Sequence, residues 1–405
     1  MSKPAAMNPI YLDHNATTAT DPAVVAAMLP FFTENFANPS SGHQQGSVAA
    51  VALRQARRHI QSFIGAAREE EIVFTSGGSE ADATALWQAI GREGRGEIII
   101  SAVEHAAILN GARRLEQMFG LKVHRIGVDR QGRLDRAAFT RALGPRTALV
   151  SVMWANNETG TLFPVAELAE KAHAAGALFH SDAVQAAGKI PLMLQDSGID
   201  MISLSGHKFH GPKGIGVLYV RSPLRLVPLI SGGKQERGRR AGTENLPAIV
   251  GLGAAAALTE TRMAADTTAV TALRDHFEAE LTNRIAGCHV LGDRANRLYN
   301  TASIAFTGAE SEVILHDLDA AGIAASAGSA CSSGMMEPSH VLRAMGLPFD
   351  WAQGVVRFSF GRSNSAEEVE RLLALLPAIV AHARDVSPFT PPDTSPTAPR
   401  LTTAG

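Results

Sequence analysis

A lysine that follows an apolar run is the first residue of this sequence whose position suggests chemistry. Lys208 comes after residues 201–204, which have the composition of a buried strand, and after the small polar turn Ser205-Gly206-His207. A basic side chain at the end of a strand usually points into solvent. A lysine amine can also form a Schiff base with an aldehyde, so the interpretation depends on the residues at the ends of the other strands.

Polar side chains with complementary chemistry follow four other predicted strands. Gly77-Gly78-Ser79 could hold a phosphate at the start of a helix, or could form a plain turn in which Ser79 caps that helix. His105 could stack on a flat ring or remain a solvated loop histidine, and Asn156-Asn157 could bind a ligand's oxygens or make a turn. Asp182 could hold a protonated ring nitrogen, with Gln185 on a ring oxygen, or merely cap the next helix.

These groups together match the parts of one cofactor. Pyridoxal phosphate has a phosphate, a flat ring, a ring nitrogen, a phenolic oxygen and an aldehyde, and an acidic partner on its nitrogen makes the ring an electron sink. Ligands of open parallel sheets bind beyond the carboxyl ends of the strands, where all of these groups lie. The sequence therefore predicts a pyridoxal phosphate site with Lys208 at its centre.

A cysteine in the C-terminal part suggests a second kind of chemistry. Cys331 lies within residues 324–334, a run of Ala, Ser and Gly that offers it no large apolar neighbour. A thiol placed in such a loop is accessible, and an ionised thiol is a nucleophile. Cys288, at a junction between a predicted helix and a strand, is interpreted as a core residue instead.

The elements that must position these residues alternate between residues 71 and 220. Continuously apolar segments separated by helical patterns predict a mainly parallel seven-stranded sheet with helices on both faces. The last two strands have only a short connection, which predicts an antiparallel edge. The predicted strands are 72–74, 98–100, 123–128, 148–153, 177–179, 201–204 and 215–220, and helices are predicted at 82–90, 106–119 and 165–175.

A long helical pattern at 246–285 leads into a C-terminal part where short strands and helices mix. A chain of 405 residues exceeds one typical core, so two domains are expected. The sequence predicts a large cofactor-binding domain over residues 21–262 and a small α+β domain formed by residues 1–20 and 263–386. Residues 387–405, rich in Pro, Thr and Ser, are predicted to be a disordered tail.

Composition narrows the functional class. With 37 basic and 39 acidic residues the net charge is −2, so no nucleic acid partner is indicated. The sequence has no apolar run long enough for a bilayer and no secretory pattern at its start, which predicts a cytoplasmic protein without a membrane partner. Two cysteines fit a reducing compartment rather than a disulfide framework.

The segments that carry these residues resemble a known family, the pyridoxal-phosphate cysteine desulfurases. These are fold type I enzymes of the class V aminotransferase group, and the similarity is greatest to the nitrogen-fixation (NifS) type. The resemblance spans nearly the whole chain, up to about residue 380, in family order. The matching segments are 11–18, 38–41, 75–82, 103–105, 153–164, 180–185, 203–208, 235–245, 328–342 and 357–362.

The resemblance implies a role for each residue of the cofactor site. Lys208 would form the Schiff base, His105 would stack on the ring and manage a thiol proton, and Asp182 would pair with the ring nitrogen. Gln185 and Asn157 would bind the phenolic oxygen. The phosphate would be held by Gly78, Ser79, Ser205 and His207, and by Thr243 of the neighbouring subunit, which implies a homodimer.

The resemblance also implies the reaction. L-Cysteine would be converted to L-alanine after Lys208 removes its α-proton, with its carboxylate held by Arg357, Asn38 and Asn157. Cys331 would take the sulfur as a persulfide and pass it to an iron–sulfur scaffold or another acceptor protein. No resident metal is expected, although Cys331 could be a transient ligand of an iron–sulfur cluster.

The chain departs from the family pattern at a few positions. Ser79 replaces a more usual threonine, and His14 and Lys234 replace a more usual asparagine and histidine. One alternative is another class V enzyme, an aminotransferase or a selenocysteine lyase, which would not need Cys331. A non-catalytic scaffold protein with the same fold would not need Lys208, and it would be colourless.

Overall fold

The structure, a computed structural model, describes residues 9–327 and 338–389. Cys331 and residues 390–405 of the predicted tail lie outside the described residues. The strands are β1 (Ile10–Tyr11), β2 (Ile72–Thr75), β3 (Glu97–Ser101), β4 (Lys122–Ile126), β5 (Thr147–Ser151), β6 (Leu178–Asp182), β7 (Met201–Ser205), β8 (Gly216–Val220), β9 (Cys288–Leu291), β10 (Thr301–Phe306), β11 (Ile323–Ala324) and β12 (Val355–Ser359). The α-helices are α1 (Pro22–Met28), α2 (Pro30–Thr33), α3 (Gln44–Ile64), α4 (Gly78–Trp87), α5 (Ala106–Phe119), α6 (Arg136–Ala142), α7 (Val165–Ala174), α8 (Leu246–Arg284), α9 (Ser311–Ala320), α10 (His340–Ala344), α11 (Phe349–Gln353) and α12 (Ala366–Asp385).

The central sheet contains the seven predicted strands in the order β2-β8-β7-β6-β5-β3-β4. Strands β3 to β7 pair in parallel, and β8 is antiparallel to both of its neighbours. The prediction that β8 is antiparallel is confirmed, but its place at the edge is wrong. Every residue of β8 is buried, and β2 pairs along its outer side, so that β2 and β4 are the edge strands.

Helices cover both faces of this sheet, as predicted. In β3, Ile99 packs into a cluster with residues of α3, α7 and α8, whereas Ile98 and Ile100 pack into a cluster with residues of α4 and α5. Successive side chains of a strand point to opposite faces. The continuous apolar runs in the sequence therefore reflect strands that are buried on both sides.

A polar ladder inside the sheet joins the three strands nearest the predicted site. His180 on β6 shares hydrogen bonds of 2.9 Å with Ser151 on β5, through Nδ1, and with Ser203 on β7, through Nε2. Complete burial lowers the pKa of His180 to about 3, so the ring is neutral and both of its nitrogens are paired. The ladder stabilises the register of the strands whose ends carry Asp182 and Lys208.

The C-terminal part forms a second apolar cluster around a three-stranded antiparallel sheet in the order β12-β10-β9. The last turns of α8 pack there together with α9 and α12, while the first turns of α8 pack on the central sheet. The predicted helix 246–285 is thus confirmed as α8. The domain boundary predicted within it stays a prediction.

The N-terminal segment connects the two parts. Strand β1 pairs in parallel with β11, next to the second cluster. A few residues later, the backbone N–H of Thr18 donates to the carbonyl of His207 at 2.9 Å. This crossing places residues 13–18 beside the predicted lysine. In the described ranges, no helix combines the length and the hydropathy needed to cross a membrane.

Candidate active site

A cavity of about 460 Å³ lies at the carboxyl ends of the parallel strands. Strands β6 and β7 contribute their last residues to it, helix α4 contributes its first turn, and β12 contributes an arginine. This is the edge at which the alternation of strands and helices predicted a ligand site. The cavity brings together the predicted residues Gly78, Ser79, His105, Asn157, Asp182, Gln185, Ser205, His207, Lys208 and Arg357.

Lys208 ends a short 3₁₀ turn that follows β7. Its Nζ donates to the backbone carbonyl oxygens of Asn15 and Ala16, at 2.7 and 2.8 Å. Burial and then the nearby charge of Arg357 lower the pKa of Lys208 to about 8, against the opposing effects of the carboxylates Asp182 and Asp13. The unprotonated fraction of this amine near neutral pH is therefore much larger than that of an ordinary lysine, as a nucleophile or a general base requires.

Asp182 is the last residue of β6 and is almost fully buried. The backbone N–H of Val184 donates to its Oδ1 at 2.9 Å, and among the described residues no hydrogen bond reaches Oδ2. Burial raises the pKa of Asp182, while that hydrogen bond and the charges of His105 and Lys208 lower it. No α-helix begins next to it in the described structure, so the alternative of a simple helix cap is wrong.

The first turn of α4 lies beside the ends of β6 and β7. The helix begins at Gly78 with Gly77 as its N-cap, so that Ser79 is inside the first turn and the alternative of Ser79 as the cap is wrong. A Cβ added at Gly78 would lie 2.8 Å from Cγ2 of Val184 and 3.5 Å from Cβ of Ser205. The glycine permits this close approach, which brings unpaired backbone N–H groups and the helix dipole to the cavity.

His105 is the N-cap of α5 and is exposed at the mouth of the cavity. Its Nδ1 accepts a hydrogen bond from the backbone N–H of Ala107 at 3.2 Å. In the neutral ring the proton therefore lies on Nε2. His207 is fixed in a different way, since its Nδ1 lies 3.1 Å from Oγ1 of Thr17, and burial lowers its pKa to about 4.

Arg357 on β12 is almost fully buried and lines the cavity opposite the strand ends. Its Nη2 donates to Oδ1 of Asp13 at 2.6 Å, and its Nη1 donates to the backbone oxygen of Asn157 at 2.9 Å. Its buried Nε has no hydrogen-bond partner among the described residues. The guanidinium group is thus anchored on one side, and several of its N–H groups remain for a carboxylate.

Comparison with known proteins identifies the family. The family model described as aminotransferase class-V matches residues 10–372 of the chain. A cysteine desulfurase from Gluconacetobacter diazotrophicus is 58% identical over 384 residues, which cover 95% of this chain and 96% of that protein. The chain belongs to the cysteine desulfurase family.

Further members of the cysteine desulfurase family agree with the predicted type and fold. A relative from Azotobacter vinelandii, named cysteine desulfurase NifS, is 51% identical over 95% of each chain. A solved structure named NifS-like protein has a TM-score of 0.86 and 34% sequence identity, and the match covers 92% of this chain and 100% of that one. The predicted NifS resemblance and the fold type I architecture are confirmed.

Two of the predicted residues that the structure describes, Asn38 and Thr243, are not among those that line the cavity. Asn38 is exposed, and its Oδ1 accepts a hydrogen bond from the backbone N–H of Ser40 at 2.9 Å. Thr243 is exposed and lines a neighbouring pocket of about 180 Å³ together with Ser76. Cys331 lies outside the described residues. The roles of these three residues stay predictions.

The sequence did not reveal a second carboxyl group behind Asp182. Asp82, on α4, is buried and lines the cavity, and one of its carboxyl oxygens lies within 4.8 Å of a ligand atom of Asp182 and of a ligand atom of His105. Burial and the charge of Asp182 raise the pKa of Asp82 well above its usual range, which favours its protonated form. Three such side chains could hold a metal ion, but a carboxyl group must lose its proton to bind a metal, and the burial of Asp82 opposes that loss.

Glu104 is another residue that the sequence did not single out, although it precedes His105. Its Oε1 accepts hydrogen bonds from the Ser101 hydroxyl at 2.5 Å and the Met153 backbone N–H at 2.9 Å. Its Oε2 is buried without a partner among the described residues. Burial raises the pKa of Glu104 to about 8, and the charge of Asp182 acts in the same direction.

Asp13 is a third residue for which the sequence predicted no role. It lies in segment 11–18, which matches the family, and its carboxylate forms an ion pair with Arg357.

Proposed function

We propose that the protein is a pyridoxal-phosphate-dependent cysteine desulfurase that converts L-cysteine to L-alanine and supplies sulfur for iron–sulfur cluster assembly. The main support is that Lys208, with a lowered pKa, shares one cavity with Asp182 and Arg357. An amine, a buried carboxylate and a buried guanidinium are the groups needed for an aldehyde cofactor, its ring nitrogen and an amino-acid carboxylate. The names of the relatives support the same substrate and reaction.

The donors and acceptors of the cavity fit the proposed cofactor. Lys208 would hold the aldehyde carbon, and Asp182, whose Oδ2 has no described partner, would accept the proton-bearing ring nitrogen. His105 would lie on the ring, and Gln185 and Asn157 would face the phenolic oxygen. The phosphate would lie at the start of α4, held by Gly78, Ser79, Ser205 and His207.

Bound pyridoxal phosphate supplies an electron sink that makes the α-proton of an amino acid removable. Lys208 is the group that would take this proton. Its pKa of about 8 leaves enough free amine near neutral pH, and the carbonyl oxygens of Asn15 and Ala16 hold Nζ in place. General base catalysis of this kind contributes about 10²- to 10⁴-fold to a rate.

Arg357 would bind the carboxylate of L-cysteine and thereby orient the substrate. Its ion pair with Asp13 and its bond to the Asn157 carbonyl fix the guanidinium plane before the substrate arrives. Asn157 would add an amide donor, and Asn38 would complete the contact from a segment on the surface of this chain. A guanidinium group that is oriented in advance loses little entropy when it binds a carboxylate.

The sulfur step is assigned to Cys331. Its thiolate would attack the sulfur of the substrate, so that an S–S bond forms and the C–S bond breaks. The electron pair of the C–S bond stays on carbon, which takes a proton and leaves as alanine, and Cys331 keeps the persulfide. His105, at the mouth of the cavity, would handle the thiol proton. The persulfide would then pass to an iron–sulfur scaffold or another acceptor protein, and Cys331 could touch a nascent cluster transiently.

A homodimer is part of this proposal. Large apolar side chains on and near helices α1 to α3 are strongly exposed in the single chain, which is typical of a surface that a partner covers. Thr243 would reach the phosphate of the neighbouring subunit from its exposed position. The exposed apolar side chains are Leu29, Phe32, Phe36, Val48 and Val51.

We also propose a cytosolic location, because a reactive thiol needs a reducing compartment.

The test is to incubate the purified protein with L-cysteine and an excess of a dithiol reductant, which becomes a disulfide as it releases the persulfide sulfur as sulfide, and to measure alanine and sulfide together. The mass of the Cys331 peptide is measured in a sample without the reductant. We expect equal amounts of both, visible absorbance from the cofactor, and a gain of one sulfur atom on Cys331 by mass spectrometry. Cys331→Ser should bind cofactor and substrate but release no sulfide. Cys288→Ser is the matched control and should remain active, because burial raises the pKa of the Cys288 thiol to about 12. Normal sulfide release by Cys331→Ser would refute the proposed relay.

A further inference from the structure

A second buried lysine lies next to the cavity, and the proposed function leaves it without a role. Lys189 follows β6 by a few residues and is almost fully buried. Its Nζ donates to the backbone oxygen and to the side-chain Oε1 of Gln185, both at 3.1 Å. Burial, followed by the charges of Lys208 and Arg357, lowers the pKa of Lys189 to about 7. Burying an amine is unfavourable, so its position calls for an explanation.

The hydrogen bonds of Lys189 determine how the amide of Gln185 is oriented. The Lys189 amine donates N–H groups in both of its protonation states, and its protonated form can only donate, so the amide atom that faces Nζ is the oxygen. On its other side, the amide meets the carbonyl oxygen of Asn15 at 2.9 Å, which requires the nitrogen there. Both neighbours therefore select the same one of the two possible amide orientations. The same Asn15 oxygen also accepts from Lys208, which links the two lysines through Gln185.

This orientation leaves a donor available to the cavity. The amide nitrogen of Gln185 carries two N–H groups, and the described residues occupy only one of them, at Asn15. Gln185 lines the cavity beside Asp182 and Lys208. If the amide were reversed, its oxygen would face the phenolic oxygen of the cofactor, and two acceptors would meet without a proton between them.

We propose that Lys189 is a positioning residue that holds the Gln185 amide with its NH₂ group toward the cofactor. The inference rests on the proposed function, since it concerns the hydrogen bond that Gln185 would donate to the phenolic oxygen of bound pyridoxal phosphate. Lys189 does not line the cofactor cavity itself, so it acts through Gln185.

The surroundings of Lys189 favour this role over that of an ordinary ion pair. Lys189 borders a small rear pocket of about 40 Å³, which also reaches Lys208. Burial lowers the pKa of His14 and His210, which border the same pocket, to about 4, so both rings are neutral. Among the described residues, no carboxylate lies within ion-pair distance of Lys189. The titratable and charged groups that border the pocket beside it are His14, Lys208, His210, Asp266, Tyr299 and Arg362.

The experiment is a pH titration of the visible absorbance of the bound cofactor. In Lys189→Met the oxygen of the Gln185 amide loses its donor, and only the Asn15 carbonyl still favours the native orientation. The reversed orientation therefore becomes more populated, and the phenolic oxygen has a donor for a smaller fraction of the time. We expect the titration midpoint to rise by about one pH unit, because the oxygen then holds its proton more tightly. Lys189→Arg keeps a donor and should restore most of the wild-type midpoint. Lys171→Met, which removes a lysine bound to Glu167 on the surface of α7, is the matched control and should leave the midpoint unchanged.

A second background separates positioning from a simple charge effect. Gln185→Leu has no amide to orient. The shift in the titration midpoint that Lys189→Met causes in the Gln185→Leu protein should therefore be at least about threefold smaller than the shift it causes in the wild type. Equal shifts in both backgrounds, or no shift in either, would overturn the proposal. If Lys189→Met does not fold, Lys189→Leu is compared in the same two backgrounds with the same criterion. A wild-type protein that binds no cofactor would overturn the proposed function. If the wild type shows the cofactor absorbance but Lys189→Met has the same titration midpoint, only this inference is overturned.

Discussion

Replacing Glu104 by glutamine should make the stability of the protein less sensitive to pH. Glu104 is fully buried, and burial raises its pKa from 4.5 to about 8. Because its folded-state pKa is raised, the folded protein binds this proton more tightly than the unfolded chain does. The contribution of Glu104 to stability is therefore complete below pH 4.5 and decreases as the pH rises toward 8.

The size of the effect follows from the difference between these two pKa values. At about 1.4 kcal/mol for each pH unit, the difference between 4.5 and about 8 corresponds to a loss of about 5 kcal/mol. Glutamine resembles the protonated carboxyl and can still accept from Ser101 and Met153 through its oxygen. Its NH₂ group would lie where Oε2 is buried without a described partner, which costs about 1–3 kcal/mol at every pH.

The assay is urea unfolding of the wild type and Glu104→Gln between pH 5 and 9. We expect the variant to be the less stable protein at pH 5 and the more stable one at pH 8, so that the two curves cross. All other titrating groups are common to both proteins, and the difference isolates Glu104. Curves that stay parallel across this range would show that Glu104 is ionised in the folded protein, and the reasoning would be refuted.

Two further substitutions test the geometry of the cavity. Gly78→Ala should weaken cofactor binding at least about tenfold, measured by absorbance titration, because its Cβ would meet Val184. In the control Gly77→Ala no atom lies near the added Cβ, so the cofactor should bind within about threefold of the wild-type affinity. Asp13→Asn should lower the free energy of unfolding by about 2 kcal/mol, because it leaves the buried Arg357 without its counter-ion. The control Asp129→Asn, in an exposed pair with Arg133, should change it by less than about 1 kcal/mol, and an equal loss in both variants would contradict the argument.

The sheet could be predicted because burial on both faces produces a visible sequence pattern. Runs such as Ile98-Ile99-Ile100 have no polar alternation, since each successive residue packs against a different helical layer. The place of β8 could not be predicted. It depends on pairing with β2, more than a hundred residues earlier in the chain, and nothing in either strand specifies its partner. Long-range antiparallel pairing leaves no local signal in the sequence.

The part of the candidate site that lies at the carboxyl ends of parallel strands could be predicted from the sequence, because ligands of such sheets bind at that edge. Asp182 and Lys208 directly follow parallel strands, so the fold brings them together. Arg357 was placed by resemblance alone, because it lies within a strand of the other sheet. Asp82 and Lys189 were missed for a different reason. Both are charged residue types, which are usually exposed, and their burial and their partners depend on packing that only the folded chain defines.

Three buried acids, Asp82, Glu104 and Asp182, lie in or close to the cavity, and burial raises the pKa of each of them. Asp82 and Glu104 both have raised pKa values, and the charge of Asp182 contributes to each increase. The shift of these two carboxyl groups toward their neutral forms reduces the repulsion that opposes ionisation of Asp182. The only described hydrogen bond to the side-chain carboxylate of Asp182 comes from a backbone N–H, so a cation that binds at Oδ2 stabilises its charged form directly. Binding of a protonated ring nitrogen and ionisation of Asp182 are therefore coupled, and each favours the other by the same free energy.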